Sequence, residues 1–392
     1  MNTLLKEAQD LFEYTRALRR DFHMHPEMGF KEVRTAGVVA RELGKLGLEV
    51  TSGVAETGVV AMLEGAQPGP VALLRFDMDA LPIMEETGAE YASLNPGVMH
   101  ACGHDGHVAV GLTVARMLQD RRQEMRGSVK LVFQPAEEGA GGAERMVAEG
   151  VMDSPKVDYT LAMHLWNEQP LGWIGLSDGP LMAGADLFSI TVEGKGGHGA
   201  LPQSSVDPIV ASAQIILALQ TIVSRNISPL DSAVVTVGRM KAGDAFNVIP
   251  QVAELGGTIR WFDPQVRVKL VTRMEEIVQS VAAAMNCKAS LTVKVMTPSL
   301  INNPQVTAVV RQTIGETLPD AVVAENHRVM GSEDMAYFIQ KAPGSFILVG
   351  SANAEKGLVF GHHHPRFDID EESMPRAAAL IAATALNLLK IY

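Results

Sequence analysis

The sequence predicts an α/β fold in two parts: a three-layer α/β/α domain with a largely parallel sheet, interrupted by an inserted ferredoxin-like β-α-β-β-α-β domain. Three observations carry this. At 392 residues the chain exceeds what one ordinary hydrophobic core organises. Short continuous apolar runs alternate with helical patterns toward both ends, as strands covered on both faces do. In the middle, the order changes to strand, helix, two strands, helix and strand.

Along the chain, MNTLLKEAQDLFEYTRALRRDFHMH carries charge throughout. It reads as an amphipathic helix and not as a signal peptide, which needs an apolar stretch. Val71–Phe76 (VALLRF), Val129–Phe133 (VKLVF), Tyr159–Met163 (YTLAM) and Phe346–Val349 (FILV) are the candidate buried strands. Val108–Asp120 is a helical pattern between the first two. The middle predicts a strand at Leu187–Val192, then a helix at Asp207–Ser224 with Pro208 near its start. Strands follow at Ala233–Arg239 and Ala253–Trp261, then a helix at Pro264–Met285 and a strand at Ala289–Val295. The insert thus spans 184–296, and the larger domain is split into 1–183 and 297–392. SDGPLMAGAD and TPSLINNP mark the two joins. Pro208–Ser224 is the longest uncharged stretch, but Ser212, Gln214, Gln220 and Thr221 interrupt it, so it reads as a packed helix and not a membrane span.

Hydrophobic residues make up 47% of the chain and charged residues 20%, a balance that suits a folded protein and argues against disorder. The formal net charge of −12 argues against nucleic acid as a partner, because phosphate binding needs a basic surface. Two cysteines are too few for a disulfide framework, which fits a cytoplasmic protein.

Chemistry-bearing residues follow the candidate strands. Asp77-Met78-Asp79 follows VALLRF, Gln134-Pro135-Ala136-Glu137-Glu138-Gly139 follows VKLVF, and His164 follows YTLAM. Open α/β sheets bind ligands beyond the carboxyl ends of their strands. MHACGHDGH (Met99–His107) holds three of the 11 histidines and one of the two cysteines, in the loop feeding the helix from Val108. Gly361-His362-His363-His364-Pro365 adds more imidazole.

Each residue has an ordinary reading when taken alone. Cys102 can be a small buried hydrophobe, as Cys287 is read. His100 can be a loop residue, and His107 can face the first helix turn. Glu137-Glu138 can be a solvated pair like Glu85-Glu86 or Glu275-Glu276, Asp77 and Asp79 can cap a turn, and His362–His364 can be a solvated run. Together they say something else. Cys102, His104, Glu138, His164 and one of the three late histidines, with Asp79 nearby, form a mixed N, O and S donor set suited to zinc, or to manganese or cobalt. One tetrahedral ion uses fewer ligands, and two divalent ions per chain account for the surplus. Of the adjacent glutamates, one then binds metal and the other moves a proton.

MHACGHDGH, FQPAEEG, AMHLW, GKGGHGALP, NVIP, MGSEDM and HHPRFDID occur in this order. With them the chain resembles the di-metal N-acyl-amino-acid amidohydrolases, which include hippurate hydrolase and the plant indole-acetyl-amino-acid hydrolases. The likeness starts at RRDFHMHPEMGF and extends to the aminoacylases and metallo-exopeptidases of the same two-domain plan. The resemblance implies metal ligation by Cys102, His104, Glu138, His164 and His363. His363 is chosen as the residue two before the proline, and His362 and His364 leave that choice open by one position. It implies Glu137 as general base and acid, and Asp79 as a support behind the ligands. It implies that His198, in the insert, reaches the carbonyl oxygen or substrate, often across a dimer interface, and that Asn247 and Arg260 touch the substrate's carboxylate. The split domain is then the di-metal catalytic domain, and the insert a lid or dimerisation domain.

The expected activity is hydrolysis of the amide of an N-acyl-L-amino acid, by a homodimer or larger homo-oligomer with no nucleic-acid or membrane partner. Three alternatives stand beside it: a metallo-exopeptidase (dipeptidase or carboxypeptidase) with the same centre, a cysteine hydrolase using Cys102 and His104, and a non-catalytic zinc-containing binding protein. The resemblance identifies neither the acyl group nor the native metal.

Overall fold

A computed structural model describes residues 3–391. The chain forms two units. The first comprises the described part of 1–181 with 301–328 and 334–392, and the second comprises 182–300 with 329–333. The second unit starts at 182 and ends at 300, not at the expected 184 and 296, and it also takes in a short return segment. Backbone pairing draws it in, because the Ala183 N–H donates to Val329 O at 3.2 Å and Gly331 O at 2.8 Å.

In the first unit, β1 (Glu49–Val54), β2 (Gly58–Glu64), β3 (Gln67–Asp77), β4 (Arg126–Gln134), β5 (Tyr159–Pro170) and β6 (Trp173–Gly175) join Val322–Ala324 and Gly344–Ala352 in an eight-stranded sheet. Its order is β1, β2, β4, β3, β5, Gly344–Ala352, β6, Val322–Ala324. The central run from β4 to Gly344–Ala352 is parallel, while β1 with β2, β2 with β4, and β6 with Gly344–Ala352 are antiparallel.

Side chains alternate across such a sheet. Ala72, Leu74 and Phe76 of β3 and Val129, Leu131 and Phe133 of β4 enter the main core. That core also takes residues of α1 (Thr3–Asp10), α2 (Phe12–Met24), α3 (Val33–Lys45), α4 (His104–Gln119), Pro304–Thr317 and Ser373–Leu388. Arg75, Lys130 and Gln134 hold the intervening strand positions and are also buried. A buried cation needs acceptors, and Lys130 Nζ donates to Val151 O at 2.6 Å and Pro155 O at 2.9 Å. The helix Gly142–Ala148 packs on β4 and on Ala336–Ile339.

The second unit is a four-stranded antiparallel sheet in the order Ala233–Ala242, Val252–Trp261, Gly184–Glu193, Lys288–Thr297. Helices Pro208–Thr221 and Pro264–Ala284 pack on it through Ile215, Leu219, Leu270 and Met274. This is the β-α-β-β-α-β order expected for the insert. Pro208–Asn226 is long and apolar enough to cross a membrane by length and composition alone, yet Ala211, Ile215, Leu219 and Ile222 lie in this core. A separate ribbon pairs Gly197–His198 with Val248–Ile249.

Helix starts follow local chemistry. Asp207-Pro208, Asp263-Pro264 and Asn303-Pro304 each put a capping oxygen before a proline that needs no hydrogen bond. The caps accept from Ile209 N at 2.8 Å, Gln265 N at 2.7 Å, and Gln305 N at 3.0 Å. The third opens a helix, Pro304–Thr317, where the sequence suggested only a join.

Three further expectations change. The N-terminal helix is two helices, with a break at Leu11. α4 begins at His104, so His104 and His107 are helical and not in a preceding loop. His164 lies inside β5 and not beyond it, because Gly344–Ala352 pairs with β5 from Thr160 to Pro170 while β3 stops pairing at Ala162.

Candidate active site

Four pieces of the first unit converge: the first turn of α4, the loop after β4, the middle of β5 and the loop before Ser373–Leu388. Donor atoms of Cys102, His104 and His164 lie within 4.8 Å of one another. The same holds for Cys102, Glu138 and His363, and for His104, Glu137 and Glu138. The two groups that contain Cys102 overlap on its sulfur.

The imidazoles are aimed by their back nitrogens. His104 Nδ1 donates to Asp79 O at 2.9 Å, and His164 Nδ1 to Leu165 O at 2.9 Å. In the neutral ring each Nε2 then carries the lone pair that a metal ligand needs. His164 Nε2 lies 3.4 Å from Cys102 Sγ. His104 Nε2 is buried with no hydrogen-bond partner. Asp79 ties two candidate ligands together, because its Oδ2 also accepts the Glu138 N–H at 3.0 Å.

Of the three late histidines, His363 is the one placed in this cluster. Its Nε2 lies 3.3 Å from Glu138 Oε1, and its N–H donates to Ala101 O at 2.8 Å. His362 turns away and donates from Nε2 to Leu165 O at 3.0 Å. His364 stacks on Phe360. Both His363, at φ 66°, and Ala136, at φ 54°, adopt the left-handed conformation that side chains disfavour. Such strain concentrates where the surroundings dictate geometry.

The electrostatics show a surplus of buried negative charge. Burial alone would pull the His104 imidazole down, but Asp77 and Asp79 outweigh it and hold its pKa up at about 10. Burial and the carboxylates of Glu138, Glu137 and Asp77 push the Cys102 thiol well above its usual range. Burial and the adjacent His107 and His362 keep His164 neutral. A donor set that holds a proton on His104 and keeps one on Cys102 is short of positive charge, and a divalent ion supplies it. The unpartnered His104 Nε2 and the mixed donors fit such an ion.

Around these ligands lies a network that sequence reasoning missed. Asp77 Oδ1 accepts from His107 Nδ1 at 2.5 Å, and Asp77 Oδ2 accepts from Arg75 Nη1 at 2.5 Å. Arg75 also donates to Gln134 Oε1 at 2.7 Å and to Asp334 Oδ1 at 3.0 Å. Asp334 accepts the Ala143 N–H at 3.0 Å, anchoring the segment after Glu137-Glu138. Asp77 is therefore not the turn cap that it could have been.

The second unit holds the other expected residues. His198 is exposed, and its Nδ1 accepts the Ala200 N–H at 3.0 Å, so the proton sits on Nε2. Asn247 is exposed beside it, accepting the Gly199 N–H on its backbone oxygen at 2.8 Å. Arg260 sits elsewhere, on the strand Val252–Trp261, with Nη1 donating to Thr258 Oγ1 and Ile259 O.

The model of peptidase family M20/M25/M40 matches residues 73–387. The chain belongs to this family. It is a hydrolase, and this M20-family chain is 39% identical over 389 residues to the IAA-amino acid hydrolase ILR1-like 4 of Arabidopsis thaliana, covering 98% of this chain and 88% of that protein. It is 38% identical over 372 residues to the N-acetyl-L-cysteine deacetylase of Bacillus subtilis, covering 95% and 87%. A crystal structure of the Bacillus subtilis YXEP protein, described as a dinuclear metal-binding peptidase from the M20 family, superposes with a TM-score of 0.86 at 34% identity, covering 98% and 100%. In this M20-family chain, the overlooked Asp77 and His107 carried one signal: an acid at a strand end and a histidine one helical turn beyond His104.

Proposed function

We propose that the protein hydrolyses the amide bond of N-acyl-L-amino acids, releasing a carboxylic acid and an amino acid, at a centre of two divalent ions. The observation that carries this is the overlap of two donor groups on Cys102, with Glu137 beside His104 and Glu138. Cys102, His104, Glu138, His164 and His363 hold the ions, and zinc, manganese and cobalt all suit these donors. Bound divalent ions acidify water and polarise a carbonyl. Glu137 takes the proton of the attacking water and delivers it to the leaving amine. His198 donates from Nε2 to the developing oxyanion. Asn247 and Arg260 receive the substrate's carboxylate. Asp79 orients His104 and Glu138 from behind.

The N-acyl reading is supported by what the plant hydrolase and the bacterial deacetylase are named for. The family's description as a peptidase supports a second reading on the same centre, a dipeptidase or carboxypeptidase. A cysteine nucleophile needs a depressed pKa, and Cys102 is pushed the other way. We assign the split domain expected at 1–183 with 297–392 as catalytic, and the insert expected at 184–296 as a lid or dimerisation domain that 329–333 joins. Exposed Leu217, Phe246 and Val248 suit a covered surface in a homodimer or larger oligomer. Two buried, unpaired cysteines suit the cytoplasm.

The test is hydrolysis of a panel of N-acyl-L-amino acids and dipeptides by chelated enzyme and by enzyme refilled with zinc, manganese or cobalt. Activity restored only by metal, on acyl conjugates above dipeptides, is the expected result. Undiminished activity in the chelated enzyme would overturn the metal reading. Dipeptides as the better substrates would establish the second reading instead.

A further inference from the structure

His107 is fully buried, yet the proposed reaction gives it nothing to do. Its two nitrogens are both engaged. Nδ1 donates to Asp77 Oδ1 at 2.5 Å, and Nε2 accepts the Leu165 N–H at 2.9 Å. The second bond is unusual in origin. Leu165 lies within β5, where Gly344–Ala352 pairs on one side through Val349. On the other side, β3 has stopped pairing at Ala162, three residues earlier. The Leu165 amide therefore has no strand to donate to, and a buried amide must be satisfied. His107, reaching from the first turn of α4, supplies the acceptor that the sheet lacks.

Leu165 in turn sets His164. Its carbonyl accepts from His164 Nδ1 at 2.9 Å and from His362 Nε2 at 3.0 Å. The residue is thus held by its N–H from α4 and used through its C=O to aim the imidazole. We propose that His107 is a positioning residue for the metal centre, fixing Leu165 and through it the orientation of His164. Asp77 takes part by holding the proton on Nδ1, which leaves Nε2 as the acceptor. Arg75, donating to the other Asp77 oxygen at 2.5 Å, keeps that carboxylate in place. The inference rests on the metal-centre reading, but not on the identity of the substrate.

Two substitutions separate the two bonds. His107→Asn keeps a donor near the Nδ1 position and removes the acceptor for Leu165. His107→Gln reaches the Nε2 position with an acceptor and removes the donor to Asp77. Zinc binding to the parent and both variants is measured by competition with a chromophoric chelator, which reads the number of ions and their affinities. The urea midpoint of each metal-free protein serves as the stability control. For His107→Asn, the expected result is one ion weakened by about 10–100-fold, the range for a lost support behind a ligand. His107→Gln should bind within a few-fold of the parent. A purely structural residue would move the metal-free midpoints without separating the two variants in zinc affinity.

Parent-like affinity in the Asn variant, or equal losses in both variants, would overturn the proposal. Should the Asn variant fail to fold, the Gln variant decides alone, because a tenfold loss there contradicts Leu165 as the contact that matters. A parent enzyme that binds two ions but hydrolyses no N-acyl amino acid would remove the substrate reading and leave this one standing. A parent that binds no zinc would overturn both.

Discussion

Glu137 and Glu138 adjoin in sequence, and the backbone around them is held as their proposed separate tasks require. Ala136, in the left-handed conformation, donates its N–H to Glu32 Oε1 at 2.9 Å, and the Glu138 N–H is held by Asp79 at 3.0 Å. The pair is pinned on both sides. Glu137→Gln removes the proton carrier and keeps the shape, so kcat should fall by about 10²–10⁴-fold with metal content unchanged. Elemental analysis beside the kinetics checks both, and loss of metal would contradict the division of labour. Asp79→Ala should do the reverse and weaken metal binding by about 10–100-fold, read by chelator competition. The clustering of Cys102, His104, Glu138 and His164 was legible because unusual residue types crowd in MHACGHDGH and after the strand-like runs. The left-handed turns at Ala136 and His363 were not, since an alanine or histidine at positive φ leaves no mark in the sequence. The resemblance favoured His363 by its distance from the proline, and the coordinates are what separate it from its two neighbours.

At the scale of elements, α4 carries the proposed ligand His104 and is also a core helix, buried along nearly its whole length. Gly111 makes this possible, because a Cβ there would lie 2.6 Å from the Phe76 ring and 2.9 Å from that of Phe133. Gly111→Ala gains about 1 kcal/mol of helix propensity against about 1–3 kcal/mol for overpacking a filled core. The expected outcome is a lower urea midpoint, and a higher one would mean that Phe76 moves aside freely. α4 is also tied to α2, whose Arg19 Nε and His23 Nδ1 each donate to Asp105 Oδ2 at 2.7 Å. Burial would lower the His23 pKa, but Asp105 outweighs burial and lifts it to about 9. The folded state therefore binds this proton more tightly than the unfolded state, whose histidine titrates near about 6.5. The contribution is complete below that value and is lost as pH rises through about 9. Stability should fall by up to about 1.4 kcal/mol per pH unit within that window. Urea titrations from pH 6 to 9.5 should show His23→Gln with the flatter dependence. An equal slope in both proteins would assign the effect to another group. The elements themselves were legible as apolar runs and capped starts. The extension of β5 was not, because His164 and the polar residues Asn167, Glu168 and Gln169 hide it, and its length is set by a partner strand 184 residues away at the Thr160–Gly344 pair, as the registers show.

At the scale of the molecule, the proposed ligands run from residue 102 to residue 363, so the centre closes the first unit upon itself. An ion that binds only the folded state stabilises it by RT ln(1 + [L]/Kd), about 2.7 kcal/mol when free metal is 100 times Kd. Chelation should therefore lower the thermal transition of the enzyme, and metal at that excess should restore it. An unchanged transition, with the metal verified as gone, would mean that the ligands are held by the protein alone. The sequence revealed the two-part plan because an insert with its own helical and strand periods interrupts the larger pattern. It hid the return of 329–333 to the second unit, where two backbone hydrogen bonds decide membership and side-chain pattern does not.

The interrupted chain has a consequence for biosynthesis. A ribosome delivers Cys102, His104, Glu138 and His164 first, and then spends the whole span from 182 to 300 on the other unit before His363 emerges. That unit is nearly continuous and can condense meanwhile. The first unit lacks part of its core until later, because α1 and α4 pack against Ser373–Leu388, which exists only once residue 388 has been made. During this interval the thiol, the carboxylate and the two imidazoles proposed as ligands already exist without the last of the set, His363. On the proposed reading of the centre, the insertion fixes the order in which its ligands are made, and the donor set is complete only near the end of translation.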